Sequence, residues 1–222
     1  MKPEYVRLDR ADRDEIIAVL ADSFADDPAP VYFMGPRCTS SQLRRFFAFI
    51  VDQALLLDDR LEGVRIDGQL VACSLLEQPD RFRQAGIGNL VMLFVKATIA
   101  AAGFPSGSLR RMNTYFRLAR AGLPAGRWHY LTMIGVRKQY QGRGLGAGLL
   151  KLLLAAVAED AESAGLALDT ENINNVAWYE KQGFELLQSV QLSTGRQEAK
   201  LRVYCMALRN ARPAPAVGEA EL

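Results

Sequence analysis

The chain is poor in the residues that build metal centres and disulfide frameworks. Its 222 residues include three cysteines, Cys38, Cys73 and Cys205, and one histidine, His129. The cysteines are odd in number, scattered and without metal-type spacing, so neither a disulfide scaffold nor a bound metal is expected. Reduced thiols suit a cytoplasmic protein, and Met1-Lys2-Pro3-Glu4 runs into a charged segment with no apolar signal core. An excess of one charge sign is missing too. With 27 Lys and Arg against 25 Asp and Glu, the formal charge is +2, so no nucleic-acid partner is expected. Uninterrupted apolar runs of membrane length are also absent. Residues 87–104 come nearest, but Asn89, Lys96 and two glycines interrupt them, and a buried or interface helix is expected in place of a membrane span.

What is present describes one globular domain. Half of the residues are hydrophobic and 23% are charged, and the length suits a single core better than two small ones. The domain is expected over 1–210, with 211–222, which carry Pro213 and Pro215, as a loose tail. Tyr5 to Leu8 reads as a first strand. A helix follows from Asp12, with Ile16, Ile17, Val19, Leu20 and Phe24 at helical spacing and Pro28 and Pro30 as its stop. Thr39, Ser40 and Ser41 offer a cap for a second, amphipathic helix through Leu57. Val64 to Val71 is a hairpin signal, because Asp67-Gly68 supplies the positive backbone angles of a two-residue turn.

Between residues 81 and 127 stand seven arginines and Lys96 with no aspartate or glutamate. Such a stretch is either a receiver for an anion or acidic surface, or a helical insert whose charge is offset elsewhere. Beyond it, Trp128 to Val136, Leu145 to Ala164 and Leu166 to Asp169 read as strand, helix and strand. A short helix from Asn174 or Asn175 to Gln182 and two closing strands, Phe184 to Leu192 and Leu201 to Leu208, complete the pattern.

The chemistry concentrates in Gln141-Gly142-Arg143-Gly144-Leu145-Gly146-Ala147-Gly148. Glycines let a ligand approach the backbone, the first N–H groups of a helix lack internal partners, and Arg143 adds a fixed charge, so the stretch reads as an anion cradle. Gly142, Gly144 and Ala147 also fit the loose dinucleotide pattern G-x-G-x-x-G/A, with Asp169 as its ribose-binding acid. Against that, five residues separate Val136 from Gly142, and only about 75 residues remain for further βα units. A ligand-free glycine turn is the third reading.

Together with Asn174-Asn175-Val176-Ala177-Trp178-Tyr179-Glu180-Lys181-Gln182-Gly183-Phe184, the Gln141-x-x-Gly144-x-Gly146 run resembles the GCN5-related N-acetyltransferase (GNAT) superfamily. The resemblance covers the element order from Tyr5 to Leu208 and is motif-grade from Trp128 to Phe184, with the insert outside it. Through Phe24-x-Asp26-Asp27-Pro28, Trp128 to Val136 and Asn175-Val176-x-Trp178-Tyr179-Glu180, the chain is most similar to the branch that includes puromycin acetyltransferase. The resemblance implies an α/β fold: one central mixed, mostly antiparallel twisted sheet, splayed between two parallel strands, with helices on both faces and a helical insert.

It also implies acetyl-CoA as co-substrate and an amine acceptor attacking directly. Ile134, Gly135 and Val136 match the strand that holds the pantetheine arm and thioester carbonyl. Gln141, Gly142, Arg143, Gly144, Leu145, Gly146 and Ala147 match the pyrophosphate loop, Asn175 a pantetheine contact, and Tyr179 the general acid toward the departing thiolate. A phenol of ordinary pKa, about 10, stays protonated at neutral pH and suits that task. No cysteine sits in a nucleophile motif, which disfavours an acyl-enzyme. The base stays open among His129, Glu171, Glu62, Asp169, a water chain and an amine that arrives neutral. Asp26 and Asp27 either meet a cationic acceptor or form an ordinary turn. The acceptor, a small molecule or a protein amine, stays open, as does the assembly, a homodimer included. The rivals are a non-catalytic acyl-CoA-binding regulatory module and an NAD(P)-binding enzyme.

Overall fold

The computed structural model describes residues 2–193 and 200–210, so the expected tail lies outside the described residues. Seven strands form one sheet: β1 (Glu4–Arg7), β2 (Arg60–Ile66), β3 (Gln69–Glu77), β4 (Arg127–Val136), β5 (Ser163–Thr170), β6 (Glu185–Ser193) and β7 (Lys200–Arg209). Their spatial order is β1-β2-β3-β4-β5-β7-β6. Every neighbouring pair is antiparallel except β4 and β5. Asp67 and Gly68 turn the β2–β3 hairpin with φ of 49° and 80°, both in the left-handed region that this tight turn needs.

The parallel pair is where the sheet opens. β4 and β5 are in register from Arg127 and Ser163 to Leu131 and Leu168, yet β4 runs on to Val136. The Arg137 N–H donates to the Val71 carbonyl at 2.8 Å, on the β3 side. By strand alternation the backbone groups of Val136 and Ile134 therefore face the opened edge.

Helices cover both faces. On one lie α1 (Arg13–Ser23), α2 (Pro28–Met34), α3 (Ser40–Leu56) and two helices of the insert, α5 (Ile87–Ala102) and α6 (Ser108–Arg120); the insert begins with the short α4 (Arg81–Gln84). α7 (Leu145–Glu159) and α8 (Ile173–Glu180) cover the other face. α3 starts with a capping box, in which the Thr39 hydroxyl accepts the Gln42 N–H while the Gln42 side chain accepts the Thr39 N–H.

Two expectations need correction, and one of two alternatives falls away. Pro28 and Pro30 do not end α1, which stops at Ser23; Pro28 opens α2, because a proline at the first helical position forfeits an N–H that has no partner anyway. The helix expected to run to Ala164 ends at Glu159, and β5 begins at Ser163. There the backbone leaves helical geometry at Asp160, whose carboxylate accepts the Glu162 N–H. The apolar run of α5 is not a buried helix. One side packs on α3, but Ile87 is 82% and Phe94 74% exposed, and Leu90, Val91, Met92, Val95 and Ile99 are exposed as well. Its one charged residue, Lys96, turns inward to Asp52 at 2.9 Å. No helix among the described residues is long and apolar enough to cross a membrane.

The arginines of the insert are mostly spent internally. Arg81 binds Asp59 and, at 2.8 Å, Glu77; both terminal nitrogens of Arg120 meet Glu77 at 2.8 Å, and Arg127 binds Glu162. Arg111 clamps the Phe33 carbonyl at 2.8 and 2.5 Å, latching α6 to α2. Glu77 is buried, and its neighbours Arg81, Arg120 and Thr132 hold its carboxyl below the usual range against the pull of burial. Removing one partner leaves uncompensated buried charge. Glu77→Ala should therefore lower the unfolding free energy by about 3–5 kcal/mol in urea titrations.

Candidate active site

The glycine run sits at the start of α7, beside the opened edge of β4. Gly142 and Gly144 have φ of 74° and 77°, and a Cβ at either would meet nothing within 4 Å. The space around them is open, so these glycines serve backbone geometry and access, not packing. Gly144 is the N-cap of α7 and offers no side-chain acceptor, which leaves the first-turn N–H groups of Leu145, Gly146 and Ala147 without a side-chain cap. Donors and the positive helix end thus face an open groove, suited to a phosphate oxyanion. Gly148 differs: a Cβ there would lie 1.8 Å from the Tyr5 hydroxyl, so it is a packing glycine.

The groove, about 1110 Å³, runs from this helix start past Val136 and Ile134 to α8. Gln141, Gly142, Gly144, Leu145, Gly146 and Ala147 line it at one end, and Asn175, Trp178 and Tyr179 at the other. Asp26 and Asp27 also border it, Asp26 paired with Lys138. A second, narrower cavity of about 100 Å³ lies on the insert side of the sheet. The two share Phe24, Asp27, Ile134, Glu171, Asn175 and Tyr179. A long groove therefore meets a small chamber at a tyrosine and two carboxyls.

The chamber's electrostatics follow from its burial. Asp169 and Glu171 stand at the end of β5, and the Tyr115 hydroxyl of α6 contacts both, while the Tyr130 hydroxyl donates to Asp169. One hydroxyl hydrogen serves only one acceptor, so the second Tyr115 contact needs a carboxyl proton, shared between Asp169 and Glu171. Burial pushes Glu171 up to about 8, with Asp169 and Asp27 adding repulsion. Asp169 is also raised by burial, against its tyrosine donors. Asp27, which caps α2 by accepting the Ala29 N–H at 2.9 Å, is raised by burial as well. Burial and the two nearby carboxylates raise Tyr179, which stays a phenol at any physiological pH. Its ring stacks edge-on against Trp178 and Phe184, with centroids 4.8 and 5.4 Å away.

The remaining expected residues lie elsewhere. His129 lines neither cavity; it is buried toward the opposite end of β4, with Nδ1 2.9 Å from Ser163 Oγ and Nε2 3.1 Å from Gln78 Oε1. Burial lowers its pKa, so it is a neutral structural imidazole. Glu62 of β2 is tied to Arg60 on its own strand and to Arg7 of β1. Gly135 lets α1 approach, since a Cβ would stand 3.1 Å from Ser23 and 3.3 Å from Leu20. Arg143 is exposed over the Tyr140 ring, 5.1 Å from its centroid, and does not line the groove. The Gln141 side chain ties the loop to β4 by donating to the Val136 carbonyl at 3.0 Å, and the Val136 N–H donates to Ser23 Oγ at 3.2 Å.

Sequence reasoning missed Tyr115, Tyr130, Phe33, Phe116 and Ser23. The first and fourth stand in the insert, whose five aromatics, Phe82, Phe94, Phe104, Tyr115 and Phe116, are the one sequence signal that pointed there. Among the described residues no group of three His, Cys, Asp or Glu side chains is placed to hold a metal ion. The antiparallel neighbours of β4 and β5 also depart from the doubly wound parallel sheet of dinucleotide enzymes.

The model of the acetyltransferase (GNAT) family matches residues 40–184. No protein of curated function matches the chain. Among solved structures, one described as histone acetyltransferase HPA2 and related acetyltransferase, from Corynebacterium glutamicum, superposes with a TM-score of 0.67 at 21% identity, over 96% of this chain and 99% of its own. The ribosomal-protein-S18-alanine N-acetyltransferase of Escherichia coli gives 0.54 at 14%, over 100% and 99%. The polyamine N-acetyltransferase of Drosophila melanogaster gives 0.56 at 12%, over 94% and 100%. At these identities the likeness is one of fold.

Proposed function

Because the chain belongs to the GNAT acetyltransferase family, we propose that it moves an acetyl group from acetyl-CoA to a primary amine by direct attack, with both substrates bound together. The observation that carries this reading is the junction of groove and chamber at Tyr179, Glu171, Asn175 and Ile134. The residues fit the co-substrate: the start of α7 offers uncapped N–H groups to a pyrophosphate, and the opened edge of β4 presents the backbone of Ile134 to an amide-rich arm, the Val136 N–H being held by Ser23. Acetyl-CoA supplies the activated acyl group as a thioester.

The residues divide the work. Glu171 takes one proton from the ammonium that enters the chamber. The amine lone pair then forms the N–C bond as the C–S bond breaks, and Tyr179 donates its proton to the departing sulfur. The second amine proton restores Tyr179, and the one on Glu171 leaves to water; amide, thiol and one proton are the products. A carboxyl raised to about 8 is well matched to a base role near neutral pH.

The deciding experiment is thiol release from acetyl-CoA over a panel of primary amines, alongside calorimetry with acetyl-CoA. Binding without turnover on any amine would favour the regulatory-module reading. Gly144→Val puts a β-branched residue at φ 77°, and weakens acetyl-CoA binding about tenfold or more in that calorimetry by distorting the cradle.

The exposed face of α5 supports a homodimer. Seven large apolar residues lie on a helix that shows no unpaired charge, and a two-fold pairing of such faces approaches the scale of a standard interface, about 1,600 Å². Phe94→Arg is expected to halve the mass seen in sedimentation equilibrium; a wild-type monomer would overturn this.

A further inference from the structure

We infer that the acceptor is a small primary ammonium bearing a compact aryl or branched alkyl group and no carboxylate. This rests on the transferase reading above and narrows it. Its first support is charge. The chamber gathers three carboxyls, Asp27, Asp169 and Glu171, and its single cation among the described residues, Arg120, already meets Glu77 with both terminal nitrogens and lies over the Tyr130 ring, 4.1 Å from the centroid. An ammonium completes such a site, whereas a substrate carboxylate meets repulsion and only the unpaired Nε–H of Arg120.

Shape is the second support. Six aromatic rings, Phe24, Phe33, Phe46, Phe47, Tyr115 and Phe116, form much of the remaining lining. These rings favour an apolar body and also attract a cation to their faces. The volume, about 100 Å³, is below that of the ~150 Å³ apolar cavity that admits benzene, so the body is no larger than one ring or a short branched chain. A polyamine is too long for a chamber of this volume. Because Tyr179 and Glu171 stand where the chamber meets the groove, the nitrogen belongs at that junction and the body points away from it.

The insert makes this selection. α6 contributes Tyr115 and Phe116 to the walls, and Arg111 clamps it to the carbonyl of Phe33, a wall residue of α2. The Tyr115 hydroxyl holds the Asp169 and Glu171 carboxyls together, so it is a positioning residue for the ammonium.

The test compares 2-phenylethylamine, phenylalanine and spermidine on the full chain, by thiol release with acetyl-CoA and by calorimetry with coenzyme A bound. Expected is a kcat/KM for 2-phenylethylamine about 100-fold above phenylalanine and at least tenfold above spermidine. Phe116→Ala, at a half-buried position, raises KM for 2-phenylethylamine about tenfold while leaving kcat within about twofold. A preference for phenylalanine or spermidine overturns the acceptor class and leaves the transferase reading intact. Tight binding of 2-phenylethylamine, weakened by Phe116→Ala, with no thiol released from any amine, overturns the transferase reading and keeps the chamber's selectivity. The absence of both binding and turnover of 2-phenylethylamine overturns the inference.

Discussion

Tyr179→Phe is expected to lower kcat for acetyl transfer by about 100-fold, with the affinity for acetyl-CoA unchanged within about twofold. The substitution removes one oxygen and keeps the ring against Trp178 and Phe184, so the fold and the groove persist. What disappears is a donor aimed at the sulfur as it gains charge. A hydrogen bond to a charged group in a buried site is worth about 1.5–3 kcal/mol, and about 2.7 kcal/mol corresponds to 100-fold in rate. Burial together with Asp169 and Glu171 raises the phenol, so it is a weak acid by itself. The same apolar, anionic surroundings make a forming thiolate more basic, and the two effects offset, so donation stays effective. The loss should fall on kcat and kcat/KM equally, because the bond forms only as the C–S bond breaks. Single-turnover acetyl transfer with saturating amine is the measurement. A drop of less than about threefold would move the acid role elsewhere.

The parts of this site that were legible in sequence are those encoded locally. The hairpin at Asp67-Gly68 and the helix cap at Thr39 each depend on residues within a turn of one another and form as expected, and the glycine run stands at the start of α7. The resemblance to the GNAT motifs pointed to Ile134, Val136, Asn175 and Tyr179, and these four line the groove. Long-range pairing was not legible. A stretch of seven arginines reads equally as a basic receiver or as an insert offset elsewhere, until Asp59, Glu77 and Glu162, all outside it, are seen to take three of them. Tyr115 becomes part of the site only because α6 crosses the end of β5, 54 residues further along the chain. Asp27 reads as a turn residue and is one, as the cap of α2, yet that cap sits at the junction of the two cavities. His129 attracts attention as the one imidazole, but it stands toward the wrong end of its strand: β4 and β5 separate only after Leu131.

Glu171→Gln is expected to lower kcat/KM for the amine by about 100-fold at pH 8 and to change the shape of its pH dependence. In the wild-type protein Glu171 is protonated below about 8 and acquires base character above it, so kcat/KM for the amine rises through that pH. The glutamine variant lacks this step and retains only the rise due to ionisation of the amine itself, which lies higher. General base catalysis contributes about 10²–10⁴-fold, and the lower figure applies because Asp169, sharing the Tyr115 hydroxyl, remains as a partial substitute. Stability separates this role from a structural one. A carboxyl whose folded pKa is raised binds its proton more tightly in the folded chain, so its contribution is complete below the unfolded value of about 4.3 and is lost as pH rises toward 8. Removing the titration should therefore raise the Tm at pH 8 relative to wild type and leave it nearly unchanged at pH 5. A variant that is more stable at pH 8 and yet slower there places Glu171 in the chemistry. Equal loss of Tm at both pH values, with the rise of kcat/KM through pH 8 intact, would instead make it a packing residue and transfer the base role to Asp169.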